Sequence, residues 1–276
     1  MKCTIRDIPI YYETYGSGFP IIMLHGYSPD HRLMQGCMEP LFAERPGWQR
    51  IYFDLPGMGR TPVTEQLTST DEMLEVVLEF LDAVIGEQSF LLVGESYGAY
   101  LSRGVLQRKF EQVAGMAFIC PVVIGERTRR DRPSRTVLVE DASLMASLPA
   151  PDAQDFGTFA VVQDAYTWQR FREEILPGMR IADEAFLQRL NQQYSYSFDV
   201  DVLPQPFSGP VVILVGRQDH IVGYRDAWRL LESYPRATFA VLDRAGHNLQ
   251  LEQPQLFNAL LGEWLDRVQE SRKLGS

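Results

Sequence analysis

No stretch of this sequence reaches the roughly 18 consecutive apolar residues that a membrane-spanning helix needs, so no membrane partner is expected. The opening segment, MKCTIRDIPIYYETYGSG, lacks the apolar core of a secretory signal, and a cytoplasmic location is the expectation. Positive charge is short: 26 Lys and Arg stand against 36 Asp and Glu, a net charge of −10. Such a chain repels a phosphate backbone, which disfavours nucleic acid as a partner. Cysteine is scarce, and Cys3, Cys37 and Cys120 show neither CxxC nor metal-ligand spacing. They read as small buried hydrophobes in a reducing compartment, and no metal is expected. GMGR is too short and misplaced for a phosphate loop, so no cofactor is expected either.

What is present is ample material for a core: 45% hydrophobic and 11% aromatic residues in a chain of 276. That suits one large α/β domain with an inserted sub-domain rather than disorder. The first 18 residues alternate as a strand pair ending on Gly16-Ser17-Gly18. PIIMLHG, RIYFDLPGMG, FLLVG, GMAFICP, PVVILVGRQD and ATFAVLDRAGHN each read as a short strand, most of them running into a loop with Gly or Pro. Between them, Met73, Leu74, Val77, Leu78, Leu81 and Val84 recur at helical spacing behind a cap at Ser69, Thr70 or Asp71. Further helices are read over Tyr97–Phe110, Gly223–Tyr234 and Gln253–Arg267. This alternation predicts a mostly parallel sheet with helices on both faces, and a core formed by residues 1–124 and 206–276. Residues 125–205 break the alternation with helical patterns and no convincing strand, and are predicted to form an inserted helical cap. In such sheets ligands bind beyond the carboxyl ends of the strands, where every motif below is found.

GESYG follows the strand FLLVG and opens a helix. Glycines at ±2 of Ser96 leave room where a Cβ would strike neighbouring chain, and a tight strand-to-helix turn exposes the hydroxyl above the sheet. Ser96 is the candidate nucleophile; a plain capping serine is the bland alternative. A serine hydroxyl needs a base. Of four histidines, His247 lies on a short glycine-containing loop after the last strand and completes the order Ser, acid, His. His25 is expected to brace its loop. Asp219, ending a buried strand 28 residues before His247, is the candidate acid, with Asp243 and Glu252 as alternatives. The oxyanion of acyl transfer requires two fixed N–H donors, and the Tyr97 and Tyr27 amides are placed to supply them.

LHGY, DLPGMGRT, GESYGA, GRQDHIV and GHNLQLEQP stand in the order found in the α/β-hydrolase superfamily. The chain resembles its small cap-bearing members: esterases, lactonases, proline iminopeptidase-like enzymes and carbon–carbon bond hydrolases. The resemblance spans about residues 8–124 and 206–268 and fades in the cap. It implies Ser96 as nucleophile, Asp219 as acid, His247 as base and the Tyr27 and Tyr97 amides as oxyanion hole. Relatives with a carboxylate at the elbow are set aside by Ser96; Glu95 is expected to point elsewhere.

The cap is rich in aromatics, and Phe156, Phe159, Trp168 and Phe171 are the candidates for a substrate wall. They favour a small molecule with an apolar or aromatic group over a sugar or nucleotide. The five arginines from Arg127 to Arg135 read as a solvated hinge rather than an anion site. Glu173 or Glu174 could bind a substrate ammonium, as cap carboxylates do in iminopeptidase-like relatives. The expected function is therefore hydrolysis of a carboxylic ester or similar acyl compound. Alternatives are carbon–carbon bond hydrolysis of a vinylogous diketone, amide cleavage with the same three residues, and a ligand-binding receptor that kept the fold. The oligomeric state is left open. Lys273-Leu274-Gly275-Ser276 reads as a vector remnant and carries no argument.

Overall fold

The computed structural model describes residues 1–274; Gly275 and Ser276, the end of the tail set aside above, lie outside the described residues. Ten strands are described: β1 Lys2–Ile5, β2 Ile8–Tyr15, β3 Phe19–Leu24, β4 Trp48–Phe53, β5 Phe90–Glu95, β6 Val113–Ile119, β7 Val139–Glu140, β8 Val162–Gln163, β9 Val211–Gly216 and β10 Ala237–Leu242. Eight form one sheet in the order β1-β2-β4-β3-β5-β6-β9-β10. From β4 through β10 neighbours pair parallel, while β1, β2 and β4 pair antiparallel. The interior strands β5 and β9 are buried along their whole length, as a parallel sheet covered on both faces requires.

The order places β5 beside β3 rather than beside β4, so the chain reverses direction across the sheet between β3 and β5. The loops leaving two such strands diverge and open a crevice at their carboxyl ends. Both LHGY, after β3, and GESYG, after β5, sit there.

Helices α1 His31–Phe42, α2 Thr70–Ile85 and α3 Tyr97–Arg108 pack around the first half of the sheet. Ser69 caps α2 through a reciprocal pair of hydrogen bonds with Glu72, and the periodic apolar face predicted for it is buried except at Val84, which is half-buried. Helix α1 is not apparent from the pattern alone. Asp30 caps it, its face is Leu33, Met34, Cys37, Met38 and Phe42, and Pro40 near its end masks the repeat. The stretch predicted as a helix over 223–234 is a 3₁₀ segment, Asp226–Glu232.

Between β6 and β9 lie α4 Ala142–Ser147, α5 Ala150–Phe159, α6 Ala165–Arg170, α7 Leu176–Ile181 and α8 Glu184–Gln192, with a π-helical turn over Phe171–Ile175 joining α6 to α7. This stretch also holds β7 and β8, which pair in parallel over two residues each. Helix α9 Leu249–Glu252 follows β10, and α10 Pro254–Leu274 closes the chain across the sheet, with Trp264 donating to the Pro210 carbonyl at 3.0 Å. Among the described residues no helix is long and apolar enough to cross a membrane.

Candidate active site

The turn from β5 into α3 has no slack. Ser96 sits at φ 52°, ψ −110°, a conformation costly for any side chain but glycine. It is held by three main-chain hydrogen bonds. Its N–H donates to Ile119 at 2.9 Å, and its carbonyl accepts from Tyr100 at 3.2 Å and Val122 at 3.1 Å. The flanking glycines are explained by space. A Cβ on Gly98 would stand 2.2 Å from the Leu24 carbonyl oxygen, and one on Gly94 would stand 2.6 Å from the backbone of Gly98 and Ala99. Helix α3 thus starts in contact with the end of β3, with its free N–H groups beneath the Ser96 hydroxyl.

Ser96 Oγ lies 2.9 Å from His247 Nε2, and His247 Nδ1 lies 2.9 Å from Asp219 Oδ2. All three residues are buried. The other Asp219 oxygen accepts from the Ile221 and Val222 amides at 2.9 and 3.0 Å, fixing the carboxylate plane. Burial pushes the Asp219 carboxyl up, but the His247 ring and those two amides hold it below its ordinary value. Burial likewise opposes charge on His247, yet Asp219 and then Glu95 raise it to about 9. A hydroxyl, an imidazole and a carboxylate in this line can pass a proton from Ser96 to His247 while the carboxylate stabilises the imidazolium.

The two residues weighed as alternative acids have other positions. Asp243 accepts from the Gln218 side chain at 3.2 Å on the exposed side of its loop. Glu252 is buried and accepts from the amides of Gly246, at 2.6 Å, and Val161, at 2.6 Å, with Val162 at 3.3 Å. It ties the His247 loop to the start of β8, and no sequence signal beyond its proximity to His247 marked that role. His25 braces its loop: one ring nitrogen meets the Gly26 carbonyl at 2.8 Å and the other accepts from the Leu55 amide at 3.0 Å.

Glu95 does not point elsewhere. Its carboxylate is buried at the cavity with Oε1 3.5 Å from His247 Nε2. Gly26 makes the room, since a Cβ there would stand 2.1 Å from Glu95 Oε2. Burial, opposed by His247, pushes the Glu95 carboxyl up to about 7. Chemistry that uses His247 as a base needs it neutral, and an ionised Glu95 favours the charged ring. Activity is therefore expected to rise from neutral toward alkaline pH, and Glu95→Gln to move that limb to lower pH. A kcat/KM–pH profile of the two proteins checks this; coincident limbs would show that Glu95 does not act on His247.

The amides of Tyr27 and Tyr97 find no acceptor among the described residues. The Tyr97 ring is anchored by Thr70, 3.0 Å from its hydroxyl, and packs against Tyr194 and Tyr27; the Tyr27 hydroxyl donates to the Leu187 carbonyl. Two aromatic anchors thus hold the two main-chain segments that carry the amides.

Ser96, His247 and Glu95 open on a cavity of about 770 Å³. One part of its wall is apolar, from Leu33, Val122, Phe159, Ile175, Met179 and Ile221; another is polar, from Ser69, Asp71, Asn191, Gln192, Ser195 and Arg130. The aromatic wall expected from the cap is thereby corrected. Phe159 lines the cavity, but Phe156, Trp168 and Phe171 are buried against one another behind it, with centroids 5.3 to 6.3 Å apart. The chain turns these rings inward, where they join the protein's main hydrophobic core. Glu173 and Glu174 do not line the cavity: Glu174 is bound by Arg170 at 2.6 and 2.9 Å, and Glu173 is exposed beside Arg172. Of the arginine run, Arg127, Arg129 and Arg135 are exposed, whereas Arg130 and Arg132 are partly enclosed.

Two buried groups, Cys120 with Asp219 and His247 and Asp30 with His31 and Asp54, have donor atoms close enough to share an ion. The Asp219–His247 pair is already hydrogen-bonded, and Asp54 already accepts from His31 and the Arg60 amide, so neither group is a set of free ligands.

A model of the alpha/beta hydrolase family matches residues 21–260, and the chain belongs to that family of enzymes. It is similar to an alpha/beta superfamily hydrolase from Oenococcus oeni PSU-1, with a TM-score of 0.88 at 29% identity over 98% of this chain and 99% of that one. It is 22% identical to the monoacylglycerol lipase of Bos taurus, over 90% of this chain and 75% of the lipase. A 2-hydroxy-6-oxononadienedioate/2-hydroxy-6-oxononatrienedioate hydrolase of Pseudomonas putida is 23% identical over 94% of this chain and 92% of that protein.

Proposed function

We propose that the protein hydrolyses a carboxylic ester through an acyl-enzyme on Ser96. The observation that carries the reading is the unbroken line from Asp219 through His247 to Ser96, with both links at 2.9 Å, opening on a cavity large enough for a small ester. In this reading His247 Nε2 takes the Ser96 proton as Oγ attacks the carbonyl carbon. The tetrahedral oxyanion is received by the Tyr27 and Tyr97 amides, a contribution of about 3–4 kcal/mol per donor in comparable sites. The intermediate collapses, His247 protonates the departing alcohol, and the acyl group remains on Ser96. Water then gives its proton to His247 and attacks the acyl carbon; His247 returns the proton to Ser96 Oγ as the acyl–oxygen bond breaks and the acid leaves. The similarity to a lipase acting on monoacylglycerols supports an ester rather than an amide.

A panel of chromogenic acyl esters of graded chain length, run beside an aryl diketone and a prolyl anilide, tests the assignment. Esters should be turned over, and Phe159→Ala should change which chain length is preferred, by about 1–3 kcal/mol of discrimination. Phe156→Ala, by contrast, should leave the preference alone and cost about 3–5 kcal/mol of stability through the cavity it creates. Cleavage of the diketone alone would replace the ester reading with carbon–carbon bond hydrolysis.

A further inference from the structure

Arg130 lacks a counter-charge. It lines the cavity, partly enclosed, just after the insertion leaves β6. Its Nε donates to the Ile124 carbonyl at 2.8 Å and its Nη2 to the Gly125 carbonyl at 2.9 Å, with the guanidinium 5.6 Å from the Tyr194 ring centroid. It also shares a side-chain hydrogen bond with Tyr194. A guanidinium has five N–H donors, so these three bonds leave two of them unclaimed. Among the described residues no carboxylate stands within ion-pair distance of it. Arg32, Arg50, Arg103 and Arg170, which are also partly or wholly enclosed, each sit on an acid; Arg132, outside the cavity wall, donates only to the His220 carbonyl among the described residues. Burial, opposed by Tyr194 and joined by the like charges of Arg127 and Arg132, pulls Arg130 below the usual guanidinium range. An enclosed cation without a partner costs free energy that an arriving anion relieves. Arg130 also acts on the reacting end, where its charge opposes protonation of His247.

We infer that Arg130 is a substrate-recognition residue and that the ester cleaved here carries a carboxylate, bound by the unclaimed N–H groups of the guanidinium while the ester carbonyl lies at Ser96. The inference rests on the ester reading above. Glu95 sets the polarity: its carboxyl beside His247 disfavours an anion at the reacting end and leaves that end to the neutral carbonyl. A singly charged carboxylate fits better than a phosphate, because Asp71 and Glu126 also line the cavity and would repel a dianion. Neither touches Arg130: Asp71 accepts from the Ser197 amide and Glu126 from the Thr128 hydroxyl.

The test uses matched pairs, 4-nitrophenyl half-esters of linear dicarboxylic acids and the same chains ending in a neutral carboxamide. At one chain length the wild-type protein should prefer the half-ester by roughly tenfold or more in kcat/KM, mainly through KM, as a charge-assisted hydrogen bond provides. That preference should shrink with added salt. In Arg130→Gln the half-ester to carboxamide ratio should collapse toward one, and Arg130→Lys should restore part of it. No preference at any length, or equal losses on both substrates in Arg130→Gln, would overturn the inference and leave Arg130 a brace for the Ile124–Gly125 turn. If neither substrate is cleaved the ester reading fails, and the Arg130 assignment is then decided by protection. A free dicarboxylate should slow fluorophosphonate labelling more than a monocarboxylate of equal length in the wild type but not in Arg130→Gln. Equal protection by the two acids overturns it.

Discussion

Asp219→Asn is expected to leave a folded protein whose kcat falls about 10⁴-fold. The size of the effect follows from which atoms Asp219 occupies. Its Oδ1 accepts from the Ile221 and Val222 amides, and an Asn oxygen can take over both bonds, so the fold is preserved. The Asn NH₂ group is then turned toward His247 Nδ1, where Oδ2 stood at 2.9 Å. A donor at that place requires Nδ1 to accept, which moves the ring proton to Nε2 and aims it at Ser96 Oγ. The imidazole can no longer take the serine proton. Turnover with a saturating chromogenic ester, beside a thermal melt, measures both halves of the expectation. A benign Asp219→Asn together with a large loss in Asp243→Asn would assign the acid to the wrong residue. Glu252→Gln belongs in the same set as a contrast: Glu252 binds three amides, so its loss should appear first in the melt.

Gly98→Ala is expected to cost at least about 3 kcal/mol and to lower the melting temperature by about 10 °C. The added methyl would lie 2.2 Å from the Leu24 carbonyl oxygen and 2.7 Å from that of His25, both main-chain atoms of the crowded centre of the sheet. Neither can move without dragging β3, so α3 must shift instead, carrying Ser96 and the Tyr97 amide with it. Activity should fall further than stability alone accounts for. Gly157→Ala is the control, because its methyl meets nothing nearer than Met145 Cε at 3.5 Å within α5. That change should be neutral or slightly stabilising. Differential scanning calorimetry on the two variants decides the matter; equal melting temperatures would mean that the elbow tolerates a side chain at this position.

The sheet and the Ser96 turn were legible because their constraints are local. An apolar run, two glycines at fixed offsets and a helical pattern lie within about fifteen residues of one another, and each has a single physical explanation. Asp219 and His247 were legible through a longer chain of reasoning, since each lies in the loop just after a strand and parallel strands deliver their carboxyl ends to one edge. Orientation was not legible. Period 3.6 marks Phe156, Trp168 and Phe171 as members of packed faces, but not whether the packing partner is a ligand or another helix, and here they pack on each other. Glu95 faces His247 because Gly26, sixty-nine residues earlier, vacates the space, a coincidence of two loops that no window contains. Arg130 illustrates the same limit. Within an arginine run it resembles a solvated hinge, and what marks it out is partial enclosure together with a place in the cavity wall, which only the fold brings about. Helix α1 was masked for a different reason: its repeat is short and Pro40 interrupts it.

The central claim is that Ser96 is an activated nucleophile, and the measurement that meets it most directly is covalent labelling. A fluorophosphonate added to the intact protein should attach once per chain, with peptide mass spectrometry placing the adduct on Ser96 and nowhere else. Labelling should become faster as His247 deprotonates with rising pH. Ser96→Ala should keep the fold, because the side chain makes no cap bond to α3, and should lose the label entirely. Undiminished labelling of Ser96→Ala, or an adduct mapped to another hydroxyl, would contradict the assignment.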